Sequence, residues 1–230
     1  MPISYMIEGK GDQILFLHGW GQSKELMIPL IDELKNKYSC ILVDLPGFGD
    51  SAFNNAKNIC EYTKKFHNFL ISKKLEPKYI VGHSFGGKVA VEYLNKYNGV
   101  EKLVLIASPV LKQKKSVKVR LKIVRYKINK FLCQNEKSDG SEDYKNCPKG
   151  MKKFFVSVVN ANYDKDIKNI KIPVLIIWGN KDKKVSVKDA YKLNKIIENS
   201  VLHIQEGDHF SYLENIDLTK LAIQKFLRCK

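Results

Sequence analysis

The stretch YIVGHSFGGKVAVEYL, residues 79–94, decides the fold. Apolar residues lead into a glycine-rich turn, and apolar residues at helical spacing follow the turn. Ser84 lies in that turn, with Gly82 and Gly86 two residues away on either side. An apolar strand, a serine between two glycines and an amphipathic helix are the succession that a nucleophile elbow requires. The pattern therefore predicts that the Ser84 side chain stands exposed on a strained turn, close to the N-terminus of a helix.

A phosphate-binding loop is the alternative for this turn, and its spacing is different. A Walker A loop requires Ser or Thr directly after Gly-Lys, whereas Val89 follows Lys88 here. A dinucleotide-binding turn requires the pattern GxGxxG, which this stretch does not contain. The spacing favours the nucleophile elbow.

A serine hydroxyl is a weak nucleophile, so a base and an orienting acid should follow Ser84 in the chain. The apolar run at 174–179 predicts a buried strand, and Asp182 follows it. The run at 201–205 predicts the next strand, and His209 follows that one. Because the carboxyl ends of parallel strands meet at one edge of a sheet, we expect the three side chains to converge there.

Other histidines and acids are less well placed for these roles. The remaining histidines lie on predicted strands or helices or next to the serine: His18, His67, His83 and His203. Asp208 is the second candidate for the acid, but a residue adjacent to His209 is poorly placed to reach the imidazole ring. Asp44 and Asp50 precede the serine, and we interpret them as turn and loop-anchoring groups.

An acyl-transfer site also needs N–H donors for a developing oxyanion. The elbow supplies the backbone N–H of Phe85, and the loop HGWGQS, residues 18–23, would supply the N–H of Trp20. Because a backbone donor leaves the side chain free, the Trp20 ring can also line the acyl pocket. We expect Trp20, Phe85 and Phe210 to form the substrate-binding surface.

Strand and helix patterns alternate along most of the chain. The predicted strands are 3–7, 14–18, 40–45, 79–84, 100–108, 174–179 and 201–205, and the predicted helices are 58–75, 85–97, 187–198 and 213–228. Several strands are apolar on both faces, which indicates a mostly parallel, doubly wound α/β sheet covered by helices on both sides. A chain of 230 residues can bury such a core without disulfides.

About sixty residues between Ser108 and Pro173 interrupt this alternation. Residues 111–132 contain nine Lys or Arg residues and no acid, with apolar residues at helical spacing. A second helix is predicted at 151–163. Because long structureless loops are rare in compact domains, we predict a small helical cap at 109–170, inserted into a core formed by 1–108 and 171–230.

The net charge of +16 raises the question of a polyanionic partner. Of the 40 basic residues 37 are lysine, spread along the chain, whereas base and phosphate recognition favours arginine. We therefore expect no nucleic-acid partner. The basic segment 111–132 could dock an acidic carrier protein, a coenzyme A phosphate or an anionic membrane surface. A solvated cap surface is the preferred interpretation, because lysine is abundant everywhere.

Cysteine usage and the chain ends suggest a compartment. The five cysteines are scattered and form no CxxC motif, which favours free thiols over disulfides or a zinc site. No apolar run approaches the roughly 18 residues of a membrane span, and the first residues do not resemble a signal peptide. We expect a cytoplasmic protein, monomeric or weakly dimeric, with no metal, no organic cofactor and no stable membrane insertion.

Five motifs together resemble the α/β-hydrolase superfamily, in order and over essentially the full chain. They are LFLHGWG (15–21), VDLPGFGDS (43–51), GHSFGGKVA (82–90), IIWGNKD (176–182) and GDHF (207–210). The resemblance implies a Ser84–Asp182–His209 triad, with Phe85 and Trp20 as oxyanion donors. It also implies that residues 109–170 are the cap domain, inserted after the sixth strand of the full fold.

The chain differs from the family pattern in two respects, and two single residues indicate which members it resembles. The N-terminal region is short, so the first strand of the full fold is expected to be missing, and the small cap suggests a shallow pocket. Serine at position 84 argues against dehalogenases and epoxide hydrolases, which carry aspartate there. Trp20 after His-Gly resembles the small carboxylesterases.

The function expected from this resemblance is a serine hydrolase. It would cleave carboxylic esters or thioesters through an acyl-enzyme intermediate, with a small-molecule ester or thioester as substrate. A C–C bond hydrolase or perhydrolase using the same triad, or a non-catalytic ligand-binding member of the fold, remains an alternative. The natural substrate and its chain length are not indicated by the sequence.

Overall fold

The computed structural model describes residues 2–112 and 141–229. Seven strands in these residues form one sheet in the order β1-β3-β2-β4-β5-β6-β7. Their bounds are β1 (Tyr5–Glu8), β2 (Gln13–Leu17), β3 (Ser39–Val43), β4 (Tyr79–His83), β5 (Lys102–Ile106), β6 (Val174–Gly179) and β7 (Ser200–Gln205). Only the β1–β3 pair is antiparallel, and the other five pairs are parallel.

The sheet interior follows from the apolar runs in the sequence. Every residue of β4 and β6 is buried, as are four of the five residues of β2, β3 and β5. Strands that are apolar on both faces require helices on both sides of the sheet. The mostly parallel, doubly wound α/β sheet predicted from the sequence is confirmed.

Seven helices lie between or after these strands in the described residues. Their bounds are α1 (Ile59–Ser72), α2 (Phe85–Leu94), α3 (Glu142–Asn146), α4 (Lys152–Asn160), α5 (Val187–Ile196), α6 (Ser211–Glu214) and α7 (Ile216–Arg228). Short 3-10 segments occupy Lys24–Leu30, Leu34–Asn36, Lys149–Met151 and Asp166–Asn169.

The single closing helix predicted at 213–228 was wrong in one respect, because the chain forms two helices there. Asn215 separates α6 from α7 with φ −121° and ψ 52°, outside the helical region. Its side-chain amide donates hydrogen bonds to the carbonyl oxygens of Glu206, at 2.7 Å, and Ser211, at 3.2 Å. These bonds stabilise the break between α6 and α7, so that α7 begins shortly after the loop that carries His209.

The predicted insertion begins after β5, the fifth strand of the described sheet. If the full fold has one further strand before β1, then β5 corresponds to its sixth strand, after which the cap was expected. Most of the basic helix predicted at 111–132 lies outside the described residues. The second predicted helix is present as α4, whose buried residues are Phe154, Phe155 and Val158.

No helix among residues 2–112 and 141–229 combines the length and the apolar character needed to cross a bilayer.

Candidate active site

Ser84 occupies the turn between β4 and α2. Its backbone has φ 50° and ψ −109°, a conformation that is costly for any residue other than glycine. The Ser84 N–H donates to the carbonyl oxygen of Ile106 on β5 at 2.8 Å, which ties the strained turn to the sheet. The strand–turn–helix arrangement predicted from residues 79–94 is therefore present.

Neither of the two glycines flanking Ser84 has a positive φ, so their backbone conformation does not require glycine. They are needed because α2 and the sheet approach each other too closely for a Cβ atom. A Cβ atom on Gly82 would lie 2.7 Å from Cα of Gly87, which lies in the first turn of α2. A Cβ atom on Gly86 would lie 2.1 Å from the carbonyl oxygen of Leu17 on β2. Both distances are shorter than any real Cβ contact, so α2 packs directly on the sheet only with glycine here.

The structure brings together the three side chains that the sequence placed after separate strands. Nε2 of His209 lies 3.0 Å from Oγ of Ser84, and Nδ1 of His209 lies 2.8 Å from Oδ2 of Asp182. Asp182 and His209 are buried, whereas Ser84 is partly exposed. The arrangement can move a proton from the serine hydroxyl to the imidazole while a carboxylate faces the opposite ring nitrogen.

The Asp182 carboxylate is held from its other side by the backbone. Its Oδ1 accepts the N–H of Lys184 and the N–H of Val185, each at 2.8 Å. Hydrogen bonds from backbone N–H groups to an ionised carboxylate are strong and directional. They fix the carboxylate so that Oδ2 faces His209.

Asp208 does not contact the His209 ring in the described residues. Its side chain is exposed, and Oδ1 accepts the N–H of Phe210 at 2.7 Å. The side chain of Asp208 thus closes a local turn. Of the two acids considered from the sequence, Asp182 is the one beside His209.

The loop after β2 carries the predicted second oxyanion donor. Gly21 has φ 72°, and Gln22 Oε1 accepts the N–H of Gly19 at 2.9 Å, so the loop curls back on itself. The backbone N–H groups of Trp20 and Phe85 donate no hydrogen bond in the described turns and loops. Both donors are thus free to bind an oxygen atom.

An aromatic cluster surrounds Trp20. Its ring lies 5.3 Å from the Phe85 ring and 4.9 Å from the Phe48 ring, centroid to centroid. It also lies 4.7 Å from the Phe155 ring and 6.0 Å from the Phe154 ring, both on α4. We call these five residues the aromatic cluster.

Three members of the aromatic cluster, Phe48, Phe154 and Phe155, were missed from the sequence. The adjacent phenylalanines on an amphipathic helix were the available signal, but only the tertiary structure shows which neighbours they contact. Phe210 lies elsewhere, with its ring 5.7 Å from the His209 ring and 5.6 Å from the His83 ring.

His83 and Gln22 lie beside the candidate site, and the sequence analysis assigned neither of them a role. Nε2 of the fully buried His83 lies 3.1 Å from the carbonyl oxygen of His209, and Nδ1 lies 3.2 Å from Oε1 of Gln22. Burial lowers the pKa of His83 to about 3, so its ring is neutral near pH 7.

The interpretation of Asp44 as a loop-anchoring group is confirmed. Its fully buried carboxylate accepts the backbone N–H of Lys24 at 2.7 Å, the Lys24 ammonium at 2.8 Å and the N–H of Asp50 at 3.0 Å. Nε2 of His18 accepts the N–H of Leu45 at 2.9 Å. Together these bonds fix the loops after β2 and β3 relative to each other.

Lys88 joins α2, the helix behind Ser84, to α4. The side chain is buried, and its ammonium donates to the carbonyl oxygen of Val158 on α4 at 2.8 Å. Burial lowers the pKa of Lys88 to about 8. Because α4 also carries Phe154 and Phe155, this bond fixes the wall of the aromatic cluster to the nucleophile elbow.

Two open grooves on the described surface lie away from Ser84. One, of about 650 Å³, runs between β1 and α1, and the other, of about 370 Å³, lies between the end of α2 and the segment before β6. Neither groove is lined by a candidate site residue. No group of three or more His, Cys, Asp or Glu side chains in residues 2–112 and 141–229 is arranged to hold a metal ion.

Comparisons with known proteins show which family and which relatives the chain resembles. A family model described as the alpha/beta hydrolase fold matches residues 12–132 and 134–216. The chain is 27% identical over 266 residues to the pimeloyl-[acyl-carrier protein] methyl ester esterase of Wigglesworthia glossinidia brevipalpis, covering 99% of this chain and 98% of that protein. It is 24% identical over 262 residues to the monoacylglycerol lipase ABHD6 of Mus musculus, covering 95% of this chain and 76% of that protein.

Solved structures show the same fold. An esterase from Exiguobacterium antarcticum superposes with a TM-score of 0.79 at 18% sequence identity, covering 99% of this chain and 96% of that chain. At this level of identity the likeness concerns the arrangement of strands and helices.

Proposed function

The chain belongs to the alpha/beta hydrolase fold family, and on that premise we propose that it is a serine hydrolase of carboxylic esters or thioesters. The single observation that carries the proposal is the chain of contacts from Ser84 Oγ through His209 to Asp182, at 3.0 and 2.8 Å. Relatives named as an esterase and a lipase support cleavage of an ester bond.

In the first step His209 acts as the general base. Its Nε2 takes the hydroxyl proton of Ser84 while Oγ forms a bond to the acyl carbon of the substrate. Asp182 orients the imidazole and stabilises its cationic form. The imidazolium then gives its proton to the leaving alcohol or thiol, and the acyl group stays on Ser84.

The oxyanion that develops in this step is stabilised by backbone donors. The N–H of Phe85 starts helix α2, so the positive end of the helix dipole faces the same point. We assign the second donor to Trp20. Loss of one such donor typically costs about 3–4 kcal/mol of transition-state stabilisation.

The acyl-enzyme is hydrolysed by water in the second step. His209 removes a proton from the water molecule, the oxygen attacks the acyl carbon, and the carboxylic acid leaves as Ser84 regains its proton. Asp182 takes up no proton in either step. No step requires a metal or an organic cofactor.

The substrate surface in this proposal is aromatic. Trp20 and Phe85, with the rest of the aromatic cluster, would face the acyl chain, and Phe210 would lie on the His209 side. We retain residues 109–170 as the proposed cap, because α4 supplies two of the rings around Trp20. An acidic carrier protein as partner stays a proposal that rests on the charge of segment 111–132 and on the name of one relative.

Labelling with a fluorophosphonate probe tests the proposal. The wild-type protein should be labelled, and Ser84→Ala should not be labelled while it keeps the circular dichroism spectrum of the wild type. Ser72→Ala, at an exposed serine on α1, is the matched control and should be labelled normally. A folded wild-type protein that stays unlabelled would show that Ser84 is not an activated nucleophile.

Hydrolysis assays then separate the alternative functions. Turnover of short p-nitrophenyl esters distinguishes an esterase from a non-catalytic binding protein. A panel of acyl chain lengths, with thioesters and a diketone included, distinguishes ester and thioester hydrolysis from cleavage of a carbon–carbon bond.

A further inference from the structure

His83 lies beneath the segment that carries His209. It is the last residue of β4, directly before Ser84, and its side chain is fully buried. Its ring lies 4.9 Å from the His209 ring and 4.6 Å from the Tyr212 ring, centroid to centroid. The ring of Phe210, at 5.6 Å, belongs to the same segment. One buried imidazole thus contacts three side chains of residues 209–212.

The two ring nitrogens of His83 face two different loops. Nε2 lies 3.1 Å from the carbonyl oxygen of His209, and Nδ1 lies 3.2 Å from Oε1 of Gln22. Gln22 Oε1 also accepts the N–H of Gly19, the residue before Trp20. A single side chain therefore connects the backbone of the proposed base with the loop of the proposed oxyanion donor.

The charge state of His83 suits this place. Burial is the main cause that lowers its pKa to about 3, so the ring is neutral near pH 7. A cation at this distance would oppose the positive charge that His209 acquires when it takes the proton of Ser84. A neutral imidazole has one N–H, so only one of the two facing oxygens accepts a hydrogen bond from it at a time. With its N–H on Nε2 the ring donates to the His209 carbonyl, and with its N–H on Nδ1 it donates to Gln22 Oε1, which accepts the N–H of Gly19 in either case.

We propose that His83 is a positioning residue that holds the backbone of His209 and the loop carrying Trp20 in place around Ser84, an inference that rests on the proposed serine hydrolase function. The contacts to the His209 carbonyl and to Gln22 carry the proposal. Proton transfer requires His209 Nε2 within hydrogen-bond reach of Ser84 Oγ, and a misplacement of about 1 Å can lower a rate by about 100-fold.

Three substitutions at His83 separate hydrogen bonding from ring packing. His83→Phe keeps an aromatic ring and removes both polar contacts. In His83→Gln the side-chain amide can reach the position of Nε2 and donate to the His209 carbonyl. In His83→Asn the shorter side chain reaches only the position of Nδ1, beside Gln22.

The measured quantities are kcat and KM for p-nitrophenyl acetate. We expect His83→Phe to lower kcat by about 10- to 100-fold, with KM within about twofold of the wild type. His83→Gln should recover most of kcat, and His83→Asn should recover less. His203→Phe, at a partly buried histidine on β7 outside the site, is the matched control and should leave kcat unchanged.

Gln22→Met tests the same connection without altering the buried ring. Because the Gln22 and His209 contacts share one imidazole, Gln22→Met should lower kcat by a smaller factor in the His83→Phe variant than in the wild type. Additive losses would overturn the proposal. So would equal kcat in His83→Phe and the wild type, or equal kcat losses in His83→Gln and His83→Phe.

Fluorophosphonate labelling of the wild type separates failure of this proposal from failure of the proposed function. An unlabelled wild-type protein would refute the serine hydrolase function. A labelled and active wild type with an equally active His83→Phe variant would refute only the positioning role.

Discussion

Nε2 of His209 and Oγ of Ser84 lie 3.0 Å apart, although 125 residues separate them in the chain. The distance results from two strand ends, because β4 ends directly before Ser84 and β7 ends four residues before His209. Asp182 likewise follows a strand end, that of β6. Parallel strands with one direction thus bring the proposed nucleophile, base and acid to one edge of the sheet.

Asp182→Asn should lower kcat by about 10⁴-fold with little loss of stability. An amide keeps an oxygen for the N–H groups of Lys184 and Val185 but cannot stabilise a cationic His209 in the required tautomer. Asp208→Asn is the matched control, since among residues 2–112 and 141–229 its carboxylate accepts only the N–H of Phe210. Steady-state hydrolysis of p-nitrophenyl acetate measures both. A large kcat loss in the Asp208 variant alone would reverse the assignment of the acid.

Gly86→Ala should destabilise the fold by at least 1–3 kcal/mol, a typical range for overpacking. Its Cβ would meet the Leu17 carbonyl at 2.1 Å, which pushes α2 and Ser84 away from β2. Urea denaturation measures the free energy of unfolding. Gly150→Ala should change that free energy little, because nothing lies within 4 Å of its Cβ position. Equal stability of the two variants would contradict the close packing of α2 on the sheet.

Phe155→Ala should shift the substrate preference toward longer or bulkier acyl groups. Its ring contacts Trp20 at 4.7 Å, so truncation opens space beside that residue. The ratio of kcat/KM values across a p-nitrophenyl ester series measures the shift. Val156→Ala, at the adjacent residue with 46% of its surface exposed, should keep the wild-type ratio. An unchanged ratio in the Phe155 variant would show that acyl groups bind elsewhere.

Lys88 should make stability rise between about pH 8 and 10.5. Its pKa is about 8 in the folded protein, against an ordinary value of 10.5, so the unfolded chain binds more protons in that interval. The stabilisation is complete above pH 10.5, and it is lost as the pH falls through 8. In Lys88→Met this increment, on the order of 3 kcal/mol, should be absent.

Urea denaturation at pH 7.5, 9 and 10.5 checks the Lys88 prediction. Lys192→Met is the control, because Lys192 lies on the exposed face of α5. Identical pH dependence in the Lys88 variant and the wild type would contradict the burial of this ammonium group.

The prediction of the fold from sequence succeeded because its signals are local. Apolar runs of strand length, the glycines around Ser84 and the helical spacing after it specify each element and the face that it buries. The order of Ser84, Asp182 and His209, each after a predicted strand, then indicated a common edge. These features depend on residues close together in the chain.

The features that the sequence did not predict involve residues that are far apart in the chain. The aromatic cluster joins Trp20 and Phe48 to Phe154 and Phe155 across the inserted segment, and no periodicity relates their positions. The break at Asn215 likewise depends on the Glu206 carbonyl.

Residue types and their spacing were therefore sufficient to predict the fold family and the three residues that meet at the sheet edge. The connection from His83 to Gln22 and the bond from Lys88 to Val158 became visible only in three dimensions. The physical reason is that residue type and spacing specify which face of an element is buried. Strand twist and loop path, which involve the whole chain, determine which atoms then lie within hydrogen-bond distance.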